Sequence, residues 1–301
     1  MVKTALANIR IVLVEPAGAL NVGAIARAMK NMGLRTLILV APKCDLLGPE
    51  ARQMAVHAGD VLEAAGVVGT LPEALRGCRW AIATTARPRT LDITLEPPKI
   101  ILPWLLEVAH HGNAALIFGP EDRGLNNREL SYAQRFLQIP TSPIYPSLNL
   151  AQAVAICCYE LFQASEVRSQ ESAVEEDTET QGEGNTGTSS TQSSVLSPQS
   201  SASIQHSTLK TSTPHTPHPT PASLDSLEAY YQHLEAVLLK IGYLYPHTAD
   251  SRMRKFRRLF NRALPSTEEV ALLRGILSQI EWAIQNPRSG KEGIEESEEG
   301  K

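Results

Sequence analysis

The chain has 301 residues, with 28 lysines and arginines against 32 aspartates and glutamates, and its formal net charge is −4. This balance excludes a uniformly basic nucleic-acid coat protein, so any contact with nucleic acid is expected to be a local patch. The chain is long enough for about two domains, and no apolar run approaches the ~18 residues of a membrane span. Four cysteines without Cys-x-x-Cys spacing indicate a reducing compartment. We therefore expect a cytoplasmic protein with no membrane segment and no secretory signal.

Short aliphatic runs alternate with helical patterns over the first 165 residues. Strands are predicted at 9–14, 37–40, 67–68, 80–84 and 114–118, and helices at 22–32 and around 50–56. Thr70 and Glu73 predict a capping box for a further helix. The alternation is typical of the α/β class, a parallel sheet with flanking helices.

A helix predicted at 148–164 is apolar around most of its circumference. Such a helix needs burial on more than one face, which a second subunit would provide. Ser147 is predicted to cap it. Cys157 and Cys158 are interpreted as core residues, because neighbouring helical positions point in different directions. We expect no metal site in the chain.

Composition changes sharply after residue 165. Residues 166–223 contain 13 serines, 10 threonines and no aromatic residue, which predicts a disordered Ser/Thr/Pro-rich linker. Residues 224–290 are predicted to form three amphipathic helices, the last opened by a capping box of Ser266 and Glu269. Residues 291–301 form an acidic tail. The predicted domains are thus 1–165 and 224–290.

Three segments carry the chemistry. Asn21-Val22-Gly23 with Arg27 follows the first strand, where open α/β sheets place ligands; a plain surface arginine is an equal alternative. The run 117–125 ends a buried strand in a charged, turn-rich loop, which read alone is also compatible with a tight turn. The run 145–151 leads through prolines into the apolar helix, and a helix cap alone does not explain Asn149.

In this order and spacing, the three segments resemble the SPOUT class of RNA methyltransferases, specifically the SpoU/TrmH group, over residues 8–165. The runs 84–91, 227–243 and 256–277 resemble the TrmJ subgroup more closely. Proteins of that subgroup are tRNA 2′-O-methyltransferases that use S-adenosylmethionine and modify nucleotide 32, C or U, in the anticodon loop. The resemblance implies a trefoil-knotted parallel sheet and a homodimer formed through the knot region.

The resemblance also assigns roles to individual residues. Arg27 would be the catalytic arginine, acting either as general base or by positioning the ribose-phosphate and stabilising the alkoxide. We favour the second role, because a guanidinium gives up its proton with difficulty. Asn21 would orient Arg27 or the ribose, and Ser147 and Asn149 would hydrogen-bond near the 2′-hydroxyl and the cofactor carboxylate. The residues implied for the cofactor follow strands or open a helix: Thr84, Thr85, Ala86, Gly119, Glu121, Ile139, Ser147 and Leu148.

A basic run without an acid lies in the C-terminal part. Its cations are Arg252, Arg254, Lys255, Arg257, Arg258 and Arg262. Such a run is usually a solvated helix face, but Phe256, Leu259 and Phe260 give this helix a core side and leave the cations for phosphates. The resemblance therefore favours tRNA as the partner.

Two other functions stay open at this stage. A different enzyme of the same fold would methylate another tRNA or rRNA ribose, and its C-terminal part would be absent or different. A non-enzymatic RNA-binding protein would keep the fold and lose the cofactor. The presence of Asn21, Arg27, Gly119, Ser147 and Asn149 together argues against the second.

Overall fold

The computed structural model describes residues 5–86, 93–180 and 220–286. The described residues fall into two compact units, one drawn from Met1–Glu166 with Thr220–Lys301 and the other from Val167–Pro219. Of the predicted linker, residues 181–219 lie outside the described ranges, as do the acidic tail and most of the run 84–91. Within those ranges no helix is long and apolar enough to cross a membrane.

The first unit is built on a seven-stranded parallel sheet with the order β3-β2-β1-β6-β4-β7-β5. The strands are β1 (Ile9–Val14), β2 (Thr36–Val40), β3 (Gly66–Val68), β4 (Cys78–Thr84), β5 (Leu95–Glu96), β6 (Asn113–Phe118) and β7 (Arg135–Leu137). All five strands predicted from the aliphatic runs are confirmed. In the centre, β1 pairs with β6 in the register Ile9↔Ala114 to Leu13↔Phe118. The α/β parallel sheet is therefore confirmed, whereas the threading of the knot stays a prediction.

Among the described residues, seven α-helices precede the C-terminal part. They are α1 (Ala19–Asn31), α2 (Pro49–Ala55), α3 (Gly59–Glu63), α4 (Leu71–Ala74), α5 (Pro98–Val108), α6 (Asn127–Leu130) and α7 (Leu150–Thr180). Successive strand residues point to opposite faces, so Ile11 and Leu13 join a core with α1, α5 and α7. Val12 and Val14 join a second core on the other face. Both faces of the sheet are covered, as a parallel sheet requires.

The start and end of α7 differ from the prediction. The cap is Asn149, whose Oδ1 accepts hydrogen bonds from Ala151 N at 2.9 Å and Gln152 N at 3.3 Å, so the predicted Ser147 cap is wrong. The helix continues to Thr180, so the first part of the predicted linker, 166–180, is helical. That stretch is rich in Glu and lacks Gly and Pro, and its helix propensity does not need aromatic residues.

Burial confirms the core interpretation of the two cysteines on α7. Cys157 and Cys158 have no exposed surface, and burial raises the pKa of the Cys158 thiol to about 12. The hydrogen bonds at the start of α4 differ from the predicted capping box. The Thr70 side chain makes no capping hydrogen bond there, and Glu73 Oε2 accepts from Gly69 N at 3.0 Å.

The C-terminal helices are α8 (Leu224–Lys240), α9 (Pro246–Ala263) and α10 (Thr267–Gln285), which confirms three helices. The capping box of Ser266 and Glu269 is present, with hydrogen bonds of 2.7 and 3.2 Å. The bundle packs on the second face of the sheet, where Leu227 and Tyr231 join Ala81 and Ala83 in one core. The sequence predicts the bundle but not this packing.

Candidate active site

A cavity of about 640 Å³ opens beyond the carboxyl ends of β4, β6 and β7. Its walls include every residue that the sequence assigns to the cofactor: Thr84, Thr85, Ala86, Gly119, Glu121, Ile139, Ser147 and Leu148. The three strands are parallel, so their carboxyl ends meet at one edge of the sheet, where open α/β sheets bind ligands. The structure thus brings these eight residues together, and their role toward a cofactor stays a prediction.

Gly119 is required by the loop that forms one wall. A Cβ added there would lie 2.2 Å from Leu125 N and 2.4 Å from the Gly124 carbonyl carbon. The loop closes on itself through Gly124 N, which donates to Pro120 O at 2.9 Å, and Gly124 has a φ of +64°. A larger residue at 119 would therefore displace backbone of this wall before it met any ligand.

A directed chain of hydrogen bonds joins the three motifs. The cap fixes the Asn149 amide, because its Oδ1 must face the two helix N–H groups. Its Nδ2 then donates to Asn21 Oδ1 at 3.0 Å. This fixes Asn21 in turn, so Asn21 Nδ2 donates to Glu121 Oε1 at 2.9 Å. Each amide has one orientation that satisfies both of its neighbours.

Glu121 ends this series of hydrogen bonds and contacts the backbone just before α1. Its carboxylate also accepts from Ala17 N at 3.1 Å and Gly18 N at 3.2 Å. Desolvation raises the pKa of Glu121, but hydrogen bonds from Asn21, Ala17 and Gly18 outweigh it, and the pKa lies below its ordinary value. Glu121 is therefore a carboxylate that ties the cavity loop to the start of α1.

Arg27 lies apart from the cavity. It is six residues beyond Asn21 on α1, which places it about 120° around the helix. Its side chain is exposed, does not line the cavity, and makes no hydrogen bond or ion pair within the described part of the chain. Ser147, in contrast, lines the cavity, and its hydroxyl also has no hydrogen-bond partner among the described residues.

Two charged residues near the cavity are not predicted from the sequence as site residues. Arg123 lines the cavity and pairs with Glu129 at 2.9 Å and Glu15 at 3.3 Å. The hydrogen bond from Lys43 is the main cause that holds the pKa of Glu15 below its ordinary value, with a smaller contribution from Arg123. Glu15 has a φ of +46° directly after β1. The signal was the charged sequence Glu121-Asp122-Arg123, but nothing in it indicates which carboxylates would pair.

Arg257 is not available to RNA, which corrects the sequence interpretation. Its side chain is 12% exposed and pairs with Glu228. Its guanidinium lies over Tyr231 at 4.5 Å and Tyr132 at 4.9 Å from the ring centroids. Met253, Arg257 and Asn261 recur every four residues, so all three lie on the face of α9 that packs inward.

The remaining cations of the run divide into two groups. Arg252, Lys255 and Arg262 are exposed, and helical spacing places them in one stripe about 80° wide. Arg254 is half-buried and pairs with Asp250 four residues earlier, while Arg258 is half-buried. The stripe of Arg252, Lys255 and Arg262 is the part of the run that faces solvent most fully.

Two family models match the chain. Residues 8–159 match the SpoU rRNA Methylase family, and residues 225–290 match the C-terminal domain of tRNA methyltransferase TrmJ. The chain belongs to the TrmJ group of the SpoU methylase family. The resemblance seen in the three motifs is therefore confirmed.

Curated relatives cover nearly the whole chain. A tRNA (cytidine/uridine-2'-O-)-methyltransferase TrmJ of Yersinia pestis (strain Pestoides F) is 38% identical over 286 residues, 94% of this chain and 95% of that protein. The TrmJ of Pectobacterium atrosepticum is 37% identical over 276 residues, 91% of this chain and 97% of that protein. The crystal structure of TrmJ from Z. mobilis ZM4 has a TM-score of 0.68 at 29% identity, and covers 90% of this chain and 98% of that chain.

Proposed function

We propose that this protein transfers a methyl group from S-adenosylmethionine to a ribose 2′-hydroxyl of tRNA, at nucleotide 32, C or U, of the anticodon loop. The observation that carries the proposal is the gathering of eight motif residues around one cavity, joined to α1 through Asn149, Asn21 and Glu121. The curated relatives are named for action on tRNA cytidine and uridine, which supports the substrate. As a tRNA-modifying enzyme, the protein would work in the cytoplasm.

The cavity suits S-adenosylmethionine in size and in chemistry. Its volume of about 640 Å³ lies within the ~300–1,000 Å³ typical of small-molecule sites. Leu137, Ile139 and Leu148 offer apolar walls for an adenine, while the Ser147 hydroxyl offers a polar contact. When bound, the sulfonium supplies an activated methyl group.

The reaction also needs a group that stabilises the ribose oxygen as it loses its proton. A ribose hydroxyl is a poor nucleophile, so its developing alkoxide needs a positive group that is held in place. Arg27 is proposed to supply that group, because its exposed guanidinium has no ion-pair partner within the described residues. Asn21 and Asn149 are proposed to fix the start of α1, the helix that carries Arg27, against the cavity loop.

A homodimer formed through the knot region is part of this proposal. The inner face of α7 is buried through Val154, Cys157 and Leu161. On the other face Tyr159 is exposed, and Ile156 and Phe162 are half-buried. A second copy packed on α7 would cover this apolar face.

The test combines cofactor binding with methyl transfer. Calorimetric titration of the full chain with S-adenosylmethionine is expected to show binding, and incubation with labelled cofactor and tRNA is expected to label the ribose of nucleotide 32. Absence of cofactor binding would instead indicate a non-enzymatic RNA-binding protein. A label at another nucleotide would indicate a same-fold enzyme with a different target.

A further inference from the structure

The turn between α8 and α9 presents two aromatic rings to solvent. Tyr243 is 53% exposed and Tyr245 is 56% exposed, whereas Leu244 between them is buried. The turn is fixed by Gly242, with a φ of +77°, and by Leu244 N, which donates to Leu238 O at 3.0 Å. The buried leucine thus anchors the turn and directs both neighbouring tyrosines outward.

Neighbouring side chains hold both rings in place. Arg252 Nη1 donates to Tyr243 O at 2.9 Å, and its guanidinium lies 5.6 Å from the centroid of the Tyr243 ring. The other neighbour of Tyr243 is Phe256, with centroids 6.5 Å apart. Tyr245 stacks on His247, with centroids 5.9 Å apart and planes inclined by 22°. Rings that are already held lose little conformational freedom when a ligand stacks on them.

The surroundings of the rings are mostly cationic. Arg252 next to Tyr243 is exposed, and Lys255 and Arg262 continue the same stripe along α9. The acid of this stretch of α9, Asp250, pairs with Arg254. Exposed aromatic rings beside unpaired cations suit a ligand that offers both flat apolar faces and negative charges.

We propose that Tyr243 and Tyr245 form a stacking platform for unpaired bases of the RNA substrate, with Arg252 and Lys255 binding the adjoining phosphates. Bases in a duplex hide their faces in the stack, so only a loop can use the rings. The proposal rests on the function proposed above and deepens it. In it the bundle binds the bases of the single-stranded loop as well as the phosphates of the backbone.

The test compares two RNAs bound to the full chain. One is a stem-loop with the anticodon arm of tRNA, and the other is a fully paired duplex with the same number of phosphates. Tyr243→Ala and Tyr245→Ala are each expected to raise the dissociation constant for the stem-loop by about five- to tenfold, and to leave that for the duplex unchanged. Tyr243→Phe and Tyr245→Phe keep the ring and should bind like the wild type.

The control is Trp282→Ala on α10, which removes another exposed ring, 58% exposed in the bundle, and should leave both dissociation constants unchanged. Equal losses for stem-loop and duplex, or no loss for either, would overturn the platform. Melting temperatures near that of the wild type show that each variant is folded. If wild-type protein methylates tRNA but the alanine variants bind the stem-loop normally, the platform fails and the proposed function stands; if the wild type transfers no methyl group, the proposed function fails.

Discussion

Asn149 combines two roles that different substitutions can separate. Its Oδ1 caps α7 and its Nδ2 donates to Asn21. The cap concerns stability, and the donation concerns the link between the start of α1 and the cavity loop. An aspartate keeps the capping oxygen and loses the donor, whereas an alanine loses both.

We predict that Asn149→Asp unfolds at nearly the temperature of the wild type but transfers methyl about tenfold more slowly, the loss expected for one oriented hydrogen bond. Asn149→Ala should lose the same activity and also about 1 kcal/mol of stability. Thermal unfolding and initial rates measure the two effects. Full activity in Asn149→Asp would show that the Asn149–Asn21 hydrogen bond is dispensable.

The carboxylate of Glu121 makes stability depend on pH. A carboxyl whose pKa is lowered in the folded state stabilises that state at pH values above its ordinary pKa, here 4.5. This contribution disappears as the pH falls through the pKa that the carboxyl has in the folded state. We predict that Glu121→Gln is less stable than the wild type above about pH 5, and that the difference shrinks below about pH 4.5. Urea unfolding over this range measures it.

The matched control for this pH prediction is Glu107→Gln on α5. The Glu107 side chain is exposed and has no hydrogen-bond partner among the described residues. Its variant should follow the wild-type stability curve at every pH. A Glu121→Gln difference that persisted unchanged at low pH would contradict the role of the ionised carboxylate.

At the scale of elements, Gly23 sets how closely two helices pack. A Cβ on Gly23 of α1 would lie 2.2 Å from Ala51 O of α2. Gly275 in α10 has nothing within 4 Å of such a Cβ. The same substitution therefore has opposite consequences in two helix interiors.

We predict that Gly23→Ala lowers the free energy of unfolding by at least about 2 kcal/mol, because backbone must move to admit the methyl group. Gly275→Ala should raise it by about 0.5–1 kcal/mol through helix propensity. Denaturant titration of the two variants checks both signs. Two stabilising substitutions would mean that α1 and α2 do not pack this closely.

The spacing of hydrophobic residues and the family motifs predict much of this architecture. They do not predict elements whose local sequence pattern is weak. The six-residue strand β1 is predicted to the residue because aliphatic side chains fill it. The strand β5 has two residues and therefore no readable alternation. Helix α5 is not among the predicted helices; Pro98 lies in its first turn, where proline is favoured, but Pro103 lies in its interior, where a proline normally argues against a helix. The hydrogen bonds that link Asn149, Asn21 and Glu121 could not be predicted without the three-dimensional fold, since they join positions 128 and 100 residues apart.

The C-terminal bundle packs against the sheet and its loops. Asn261 Nδ2 donates to Ser131 O at 2.9 Å, and Tyr231 Oη donates to Asn261 Oδ1 at 2.9 Å. Gly77 N donates to Asp225 Oδ1 at 3.0 Å. Ser131 directly follows α6, and Asn127 of α6 lines the cavity. The proposed RNA surface and the cavity therefore belong to one packed body.

The exposed cations of α9 and the half-buried Arg257 should have different effects when they are replaced. Changing Arg252, Lys255 and Arg262 together to Gln is predicted to weaken tRNA binding and to lower the salt slope by up to about three, one for each lost phosphate contact. Arg257→Gln is predicted to cost about 3 kcal/mol of stability, because it leaves the half-buried Glu228 without its ion-pair partner. Binding at several salt concentrations and urea unfolding separate the two. A triple variant with the wild-type salt slope would remove this stripe from the tRNA surface.

The proposed methylation of tRNA depends on Arg27 as the group that acts on the ribose. The most direct measurement maps 2′-O-methylation in tRNA from a strain that lacks the gene, after its restoration as wild type or as Arg27→Ala. We expect methylation of nucleotide 32 to be absent without the gene, restored by the wild type, and nearly absent with Arg27→Ala, because loss of this group should slow transfer at least about a hundredfold. Calorimetry on the purified variant should show unchanged affinity for S-adenosylmethionine, because Arg27 does not line the cavity. Methylation that persists without the gene, or full restoration by Arg27→Ala, would contradict it.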